Sequence, residues 1–198
     1  ERTGDATFVI VRAYDEASAA DAVTVQGMTR KVAVFAGSAF LLTVHRKPMP
    51  FFDSFKAACR ARPVVTTGLG EIVVDLIGAV VVTYERPLEE AERVLDDYEE
   101  ALFDGGRPEA GLEEIHRVKR RVTLIKRVLW QTLGVVQRLH PPSEGHSPMY
   151  QDLRENLESM YTYADEIQDN VSNLLTIQLN VASFRTNEVM RILTLFSA

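Results

Sequence analysis

Four side chains near the C-terminal end of the sequence, Thr176, Asn180, Ser183 and Asn187, recur at spacings of four, three and four. On a helix that turns about 100° per residue they share one narrow face, with Asn173 close beside it. Hydroxyl and amide groups exchange hydrogen bonds without carrying charge, so the chemistry open to this row is to hold water or a hydrated cation. The same face continues through Met190 to Leu193 and Thr194, where thioether and alkyl groups replace most of the polar ones. A change from wettable to unwettable lining is how a pore gates by dewetting. Ile177, Val181 and Phe184 stand on one flank of the row and Val171, Leu175 and Leu179 on the other, with Gln178 and Arg185 opposite. Two apolar flanks imply two packing neighbours, as in a ring of parallel helices around a wet axis. The alternative is a helical bundle that tolerates a few polar residues at core-like positions, since coiled coils admit buried Asn.

The elements that must position this row divide the chain into 1–69, 70–140 and 148–198. In the first stretch, "TFVIVRAY" (7–14) is rich in β-branched and aromatic residues. "KVAVFAGSAFLLTVHRK" (31–47) is two apolar runs meeting at Gly37-Ser38, a hairpin signal. The first strand begins so near residue 1 that any outer neighbour is expected to lie outside the sequence. "MPFFDSFKAACRAR" (49–62) predicts a short amphipathic helix over one face of the sheet, closed by Pro63. From residue 70 the apolar period lengthens to about 3.6. Val73, Leu76, Val80, Tyr84, Leu88, Ala91, Leu95, Tyr98 and Leu102 draw one stripe down a helix that Pro87 should kink, ending at "DGGRP" (104–108). A second helix runs from Leu112 to Leu139 before "HPPSEGHSP" (140–148). Ser147 as N-cap and Pro148 at the first helical position open a third, which meets no further proline or glycine. At 1.5 Å per residue it is roughly 75 Å long and must project from the body. The fold class is α+β: a small antiparallel sheet with helical cover (α/β/α), then long stalk helices.

A chain of 198 residues with 46% hydrophobic and 25% charged residues can bury a real core, and its net charge of −6 argues against a nucleic-acid surface. Cations are the more natural partners. The first of the paired helices is acidic, whereas the second carries "HRVKRRVTLIKR" (116–127). These charges form either the facing sides of an antiparallel pair or separate surfaces for cations and for an anionic partner. One cysteine, Cys59, excludes an internal disulfide and fits a reducing compartment. His45, His116, His140, His146 and Cys59 show no zinc-site spacing. No Gly-rich phosphate loop or nucleophile elbow is present, so no enzyme is indicated. No run of about 18 apolar residues lies inside the chain. The last helix nevertheless carries apolar residues to its end without a cap, which leads us to expect that it continues past 198 into a membrane span. A soluble helical scaffold or partner-binding regulator is the reading from a different class.

With these residues in view the chain resembles the CorA family of divalent-cation channels, in particular the cytosolic part. "FLLTVHRKP" (40–48) is similar to the family's sheet hairpin, and "RTNEVMRILTLFSA" (185–198) is similar to the end of its stalk helix at the first transmembrane segment. The resemblance implies a homopentameric funnel of an inner (plasma) membrane protein, held by membrane helices absent from this sequence. It implies a cytoplasmic domain that senses Mg²⁺, with Co²⁺ or Ni²⁺ as further cargo, and that controls the pore. Asn187, Met190 and Leu193 fall at positions lining the cytosolic pore mouth. Asp152 falls where the family places a carboxylate sharing a regulatory Mg²⁺ with the next subunit, through a partner residue upstream of the first strand. Asp165, Glu166 and Asp169 are further metal candidates or a solvated face. Thr176 stands where some members have an acidic ring. The family's Gly-Met-Asn signature is absent; the Gly27-Met28-Thr29 triplet lies in a predicted loop. The zinc-transporting branch typified by ZntB shares this architecture, which makes Zn²⁺ the rival ion.

Overall fold

In the computed structural model, residues 2–3, 6–19, 21–37, 39–61, 69–103, 111–140 and 147–197 are described. The predicted breaks at 104–108 and 141–146, with Ser38, Pro63 and His146, lie outside them. The β-rich segments form an antiparallel sheet of four strands in sequence order: β1 (Arg2–Thr3), β2 (Ala6–Tyr14), β3 (Thr29–Ala36) and β4 (Leu41–His45). The outer neighbour of β2 is therefore inside the sequence, since Arg2 pairs with Thr7 and Thr3 with Ala6. Two residues of ladder are too short to show a period of two, which is why the sequence gives no sign of them.

The register sets the sheet's two faces. Val9 pairs with Val34 and Val11 with Val32, and these four are buried. The alternate positions form the other face, where Phe8 and Phe35 pack ring to ring at 4.6 Å while Ile10, Leu42 and Val44 remain exposed. At the hairpin the Gly37 amide donates to the Phe40 carbonyl at 2.9 Å. A Cβ at Gly37 would stand 2.4 Å from the Phe40 ring, so any larger residue there would push that exposed ring out of its place over the turn. The predicted loop between β2 and β3 contains a one-turn helix, α1 (Val25–Met28), whose Met28 is buried. α2 (Phe51–Ala61) meets the sheet's inner side at the β4 edge, where buried Phe52 stacks on His45 at 4.4 Å.

Where one kinked helix was expected, there are two: α3 (Leu69–Val82) and α4 (Glu85–Phe103). Pro87 would remove the bond to the Thr83 carbonyl and clash with it, and the chain leaves the helix at that point. Thr83 and Tyr84 instead donate their amides to Val80 and Val81 in the tighter three-residue pattern. Pro87 then sits in the first turn of α4, where an N–H has no helical partner to lose. The junction also fastens the sheet. The Tyr14 amide donates to Thr83 Oγ1 at 2.9 Å, and the Tyr84 hydroxyl donates to the Arg12 carbonyl at 2.8 Å. Burial pushes the Tyr84 phenol far above the ordinary tyrosine range.

α5 (Leu112–Leu139) and α6 (Pro148–Phe196) run antiparallel. Their register is fixed by an ion pair between Lys126 and Asp165, by Trp130 against Tyr161, and by His140 stacked on Tyr150. Ser147 occupies the N-cap position and Pro148 follows it, but the serine hydroxyl makes no cap bond. On α6, Leu153, Leu157, Met160, Ala164, Ile167, Val171 and Leu174 are buried at alternating spacings of four and three. That is the heptad seam of a coiled coil, closed here by the chain's own helices.

Candidate functional site

The helix that carries the polar row is continuous across it, because 148–196 contains no helix breaker after Pro148. Tertiary contact ends much earlier. Leu174 is the last buried residue on α6, and Leu175, Ile177, Gln178 and Val181 are half-buried. Beyond them every described side chain is exposed, including Leu179 (69%), Phe184 (71%) and Phe196 (88%).

Direction matters as much as exposure. Gln178 hydrogen-bonds Tyr98 on α4, and Val171 and Leu174 enter the core, so this side of α6 faces its own chain. At about 100° per residue, Thr176, Asn180, Ser183 and Asn187 lie roughly opposite, and all four are exposed. Met190, Leu193 and Thr194 are exposed as well. Val171 and Leu175 pack on the chain's own core, so at that level one apolar flank already has its neighbour; only from Leu179 and Phe184 onward are both flanks bare.

The hydroxyls are oriented by their own helix. Thr176 Oγ1 donates to the Ser172 carbonyl at 3.0 Å, and Thr194 Oγ1 donates to the Met190 carbonyl at 2.8 Å. With the proton committed, what each hydroxyl offers outward is lone pairs, which suits water or a cation.

The carboxylates are placed differently. Asp152 is exposed in the first turns of α6, and 13 positions, about 20 Å of helix, separate it from Asp165. Glu166 and Asp169 are exposed, one turn apart, while Asp165 is engaged by Lys126, whose own pKa the hydrogen bond raises. Among the described residues no three His, Cys, Asp or Glu side chains come together as a metal cage. The soft donors are dispersed too. His45 donates Nδ1–H to the Lys47 carbonyl at 2.7 Å, His140 stacks on Tyr150, His116 is exposed, and Cys59 lines a groove between α2 and α3.

Sequence reasoning missed the groups that tie α6 to the acidic helix. The Tyr163 hydroxyl donates to Glu92 at 2.5 Å. Burial, then the bond to Glu92 and the neighbouring Glu89 and Asp96 charges, push its phenol well above the ordinary range. A tyrosine one position before the buried Ala164 was the available signal, since buried tyrosines seek a partner for their hydroxyl.

A family model described as CorA-like Mg2+ transporter protein matches residues 1–198. The chain belongs to the CorA family. It is 28% identical over 132 residues to the cobalt/magnesium transport protein CorA of Thermotoga maritima, across 64% of this chain and 37% of that protein. The CorA-like chain thus spans well under half the length of that curated relative. Its fold is similar to the complete CorA magnesium transporter of Methanocaldococcus jannaschii, with a TM-score of 0.77 and 17% identity over 98% of this chain and 61% of that one. Full-length CmaX protein is similar at a TM-score of 0.81 and 16% identity, over 98% and 59% of the two chains. At such identities the likeness concerns the fold. No helix among the described residues is long and apolar enough to cross a membrane.

Proposed function

We propose that this chain is the cytosolic regulatory part of a CorA-like divalent-cation channel, in which α6 of each of five subunits descends around one axis and leads into the membrane. The observation that carries this reading is the direction of the polar row. Thr176, Asn180, Ser183 and Asn187 point away from the chain's own core on a helix end that none of the described residues buries. An exposed apolar stretch rimmed by such a row is costly in water unless a partner covers it, and identical copies cover both flanks at once.

Ion passage then follows from side-chain chemistry. Outward lone pairs and amides solvate a hydrated cation down to Asn187, and Met190 with Leu193 forms a constriction that excludes water when narrow. Sensing follows from the carboxylates. Mg²⁺ takes oxygen ligands and yields its waters reluctantly, so exposed Asp152 holds it largely hydrated against the neighbouring subunit, with Glu166 and Asp169 as weaker donors. Asp165, occupied by Lys126, contributes least. When Mg²⁺ falls, unscreened carboxylates repel, subunits shift, and the constriction opens.

Limited proteolysis of the membrane-embedded full-length protein tests this. Millimolar Mg²⁺ should protect the domain from cleavage, and Asp152→Asn should raise the Mg²⁺ concentration needed severalfold. Cleavage that ignores Mg²⁺ would count against sensing. Protection by micromolar Zn²⁺ instead would transfer the reading to the zinc-transporting branch.

A further inference from the structure

The open end of the sheet gathers cations against the chain's overall balance. Arg12 of β2 stands directly opposite Lys31 of β3 in the ladder. Arg46 follows His45, the β4 residue paired with Val32, and so continues the same line on the third strand. With strands about 4.8 Å apart, three cationic side chains leave the sheet within roughly 10 Å. Like charges directly opposite one another destabilise a ladder, yet no acid among the described residues pairs with them. Arg12 donates to a neutral acceptor, Thr29 Oγ1, at 3.0 Å. The cation held by a carboxylate is Arg30, 2.5 Å from Asp15. Lys31, Arg46 and Lys47 are exposed around a cleft of about 620 Å³, and no described carboxylate lines it. This arrangement belongs to a protein of net charge −6. Uncompensated repulsion built into a ladder, beside an open cleft, is what an anion would relieve.

We propose that this cleft binds a soluble, compact polyanion carrying several phosphates. Cations on successive strands match charges spaced along a short phosphate chain better than one carboxylate, and the Arg12 and Arg46 guanidiniums can engage phosphate oxygens in pairs. A free phosphate source is favoured over a lipid headgroup by position. The strand end carrying Arg12 lies beside Arg121, which donates to the Tyr14 hydroxyl. By the pairing of Lys126 with Asp165, Arg121 lies level with α6 near residue 170, about 40 Å of helix before Phe196. That choice of source rests on the functional reading above, in which the far end of α6 meets the membrane; the phosphate chemistry does not.

Calorimetric titration of sodium tripolyphosphate into the purified protein at low salt tests the proposal. One equivalent should bind, more weakly as salt rises, and at least tenfold more weakly in Lys31→Glu/Arg46→Glu. Arg117→Glu/Arg120→Glu on α5 makes the same change in net charge at exposed positions and should leave the affinity within twofold. All four sites are exposed, and circular dichroism confirms that each variant is folded. Absence of tripolyphosphate binding, or equal loss in the two double variants, overturns the proposal. So does cleft-dependent binding only to phosphatidylglycerol vesicles in a parallel sedimentation arm. Failure here leaves the Mg²⁺-protection experiment untouched, because that depends on α6.

Discussion

Between Leu153 and Leu174, α6 buries a side chain every three or four residues against its own chain; between Leu179 and Phe196 it buries none of those described. Both halves are helical, and the second is the richer in apolar residues. What separates them is whether partners lie within the same chain. In the first half the heptad seam meets α3, α4 and α5, and tyrosine hydroxyls anchor it at Glu92 and Gln178. In the second half the apolar residues flank a neutral polar row, and beyond half-buried Val181 every described side chain is exposed. Apolar spacing therefore records that a helix packs, but not on what. Within this chain, only the first half of α6 contributes to the core.

The contrast predicts a graded set of effects. Leu157, fully buried, should cost about 2–5 kcal/mol on truncation by Leu157→Ala, read by urea unfolding. Leu179→Ala in the same assay should change stability by less than about 0.5 kcal/mol. Equal losses would show that the second half is also packed within the chain.

The junction that supplies α6 with its partners gives the next largest effect. Tyr84→Phe leaves the Arg12 carbonyl without its donor and should cost about 1–2 kcal/mol at neutral pH. Because burial raises the folded phenol's pKa, its stabilisation is fully present below the unfolded value near 10 and is lost as pH rises beyond it. Above about pH 10 wild-type stability should fall by up to about 1.4 kcal/mol per pH unit from this group, and Tyr84→Phe should flatten that slope.

Smaller still is Asp165→Asn, which removes the charge that holds Lys126. The pair is partly exposed, so the loss should be about 0.2–1 kcal/mol and should shrink at high salt, as measured by thermal melts. Asn180→Ala should be neutral within about 0.5 kcal/mol, since Asn180 is exposed. A destabilisation above 1 kcal/mol there would erase the contrast between the halves.

How far the sequence carried this picture depended on the range of the interactions. Strand β2, the β3–β4 hairpin, α2, α5 and the 49-residue α6 each follow from local period and turn chemistry, and so does the shared face of Thr176, Asn180, Ser183 and Asn187. The break at Thr83 did not, because periodicity continues across it and only the Pro87 clash reveals where the helix stops. The engagement of Asp165 by Lys126 was invisible because it joins residues 39 apart through helix register. Likewise the line of Arg12, Lys31 and Arg46 exists only once three strands are aligned.

The central claim is that the polar row faces identical copies across a shared axis. Disulfide trapping in the membrane-embedded full-length protein tests it most directly, with Cys59→Ser removing the native thiol of this chain. Asn187→Cys should give linked dimers rapidly under mild oxidation, whereas Gln178→Cys, which faces Tyr98 of its own chain, should remain monomeric on denaturing gels. Dimers from Gln178→Cys without dimers from Asn187→Cys would contradict the account.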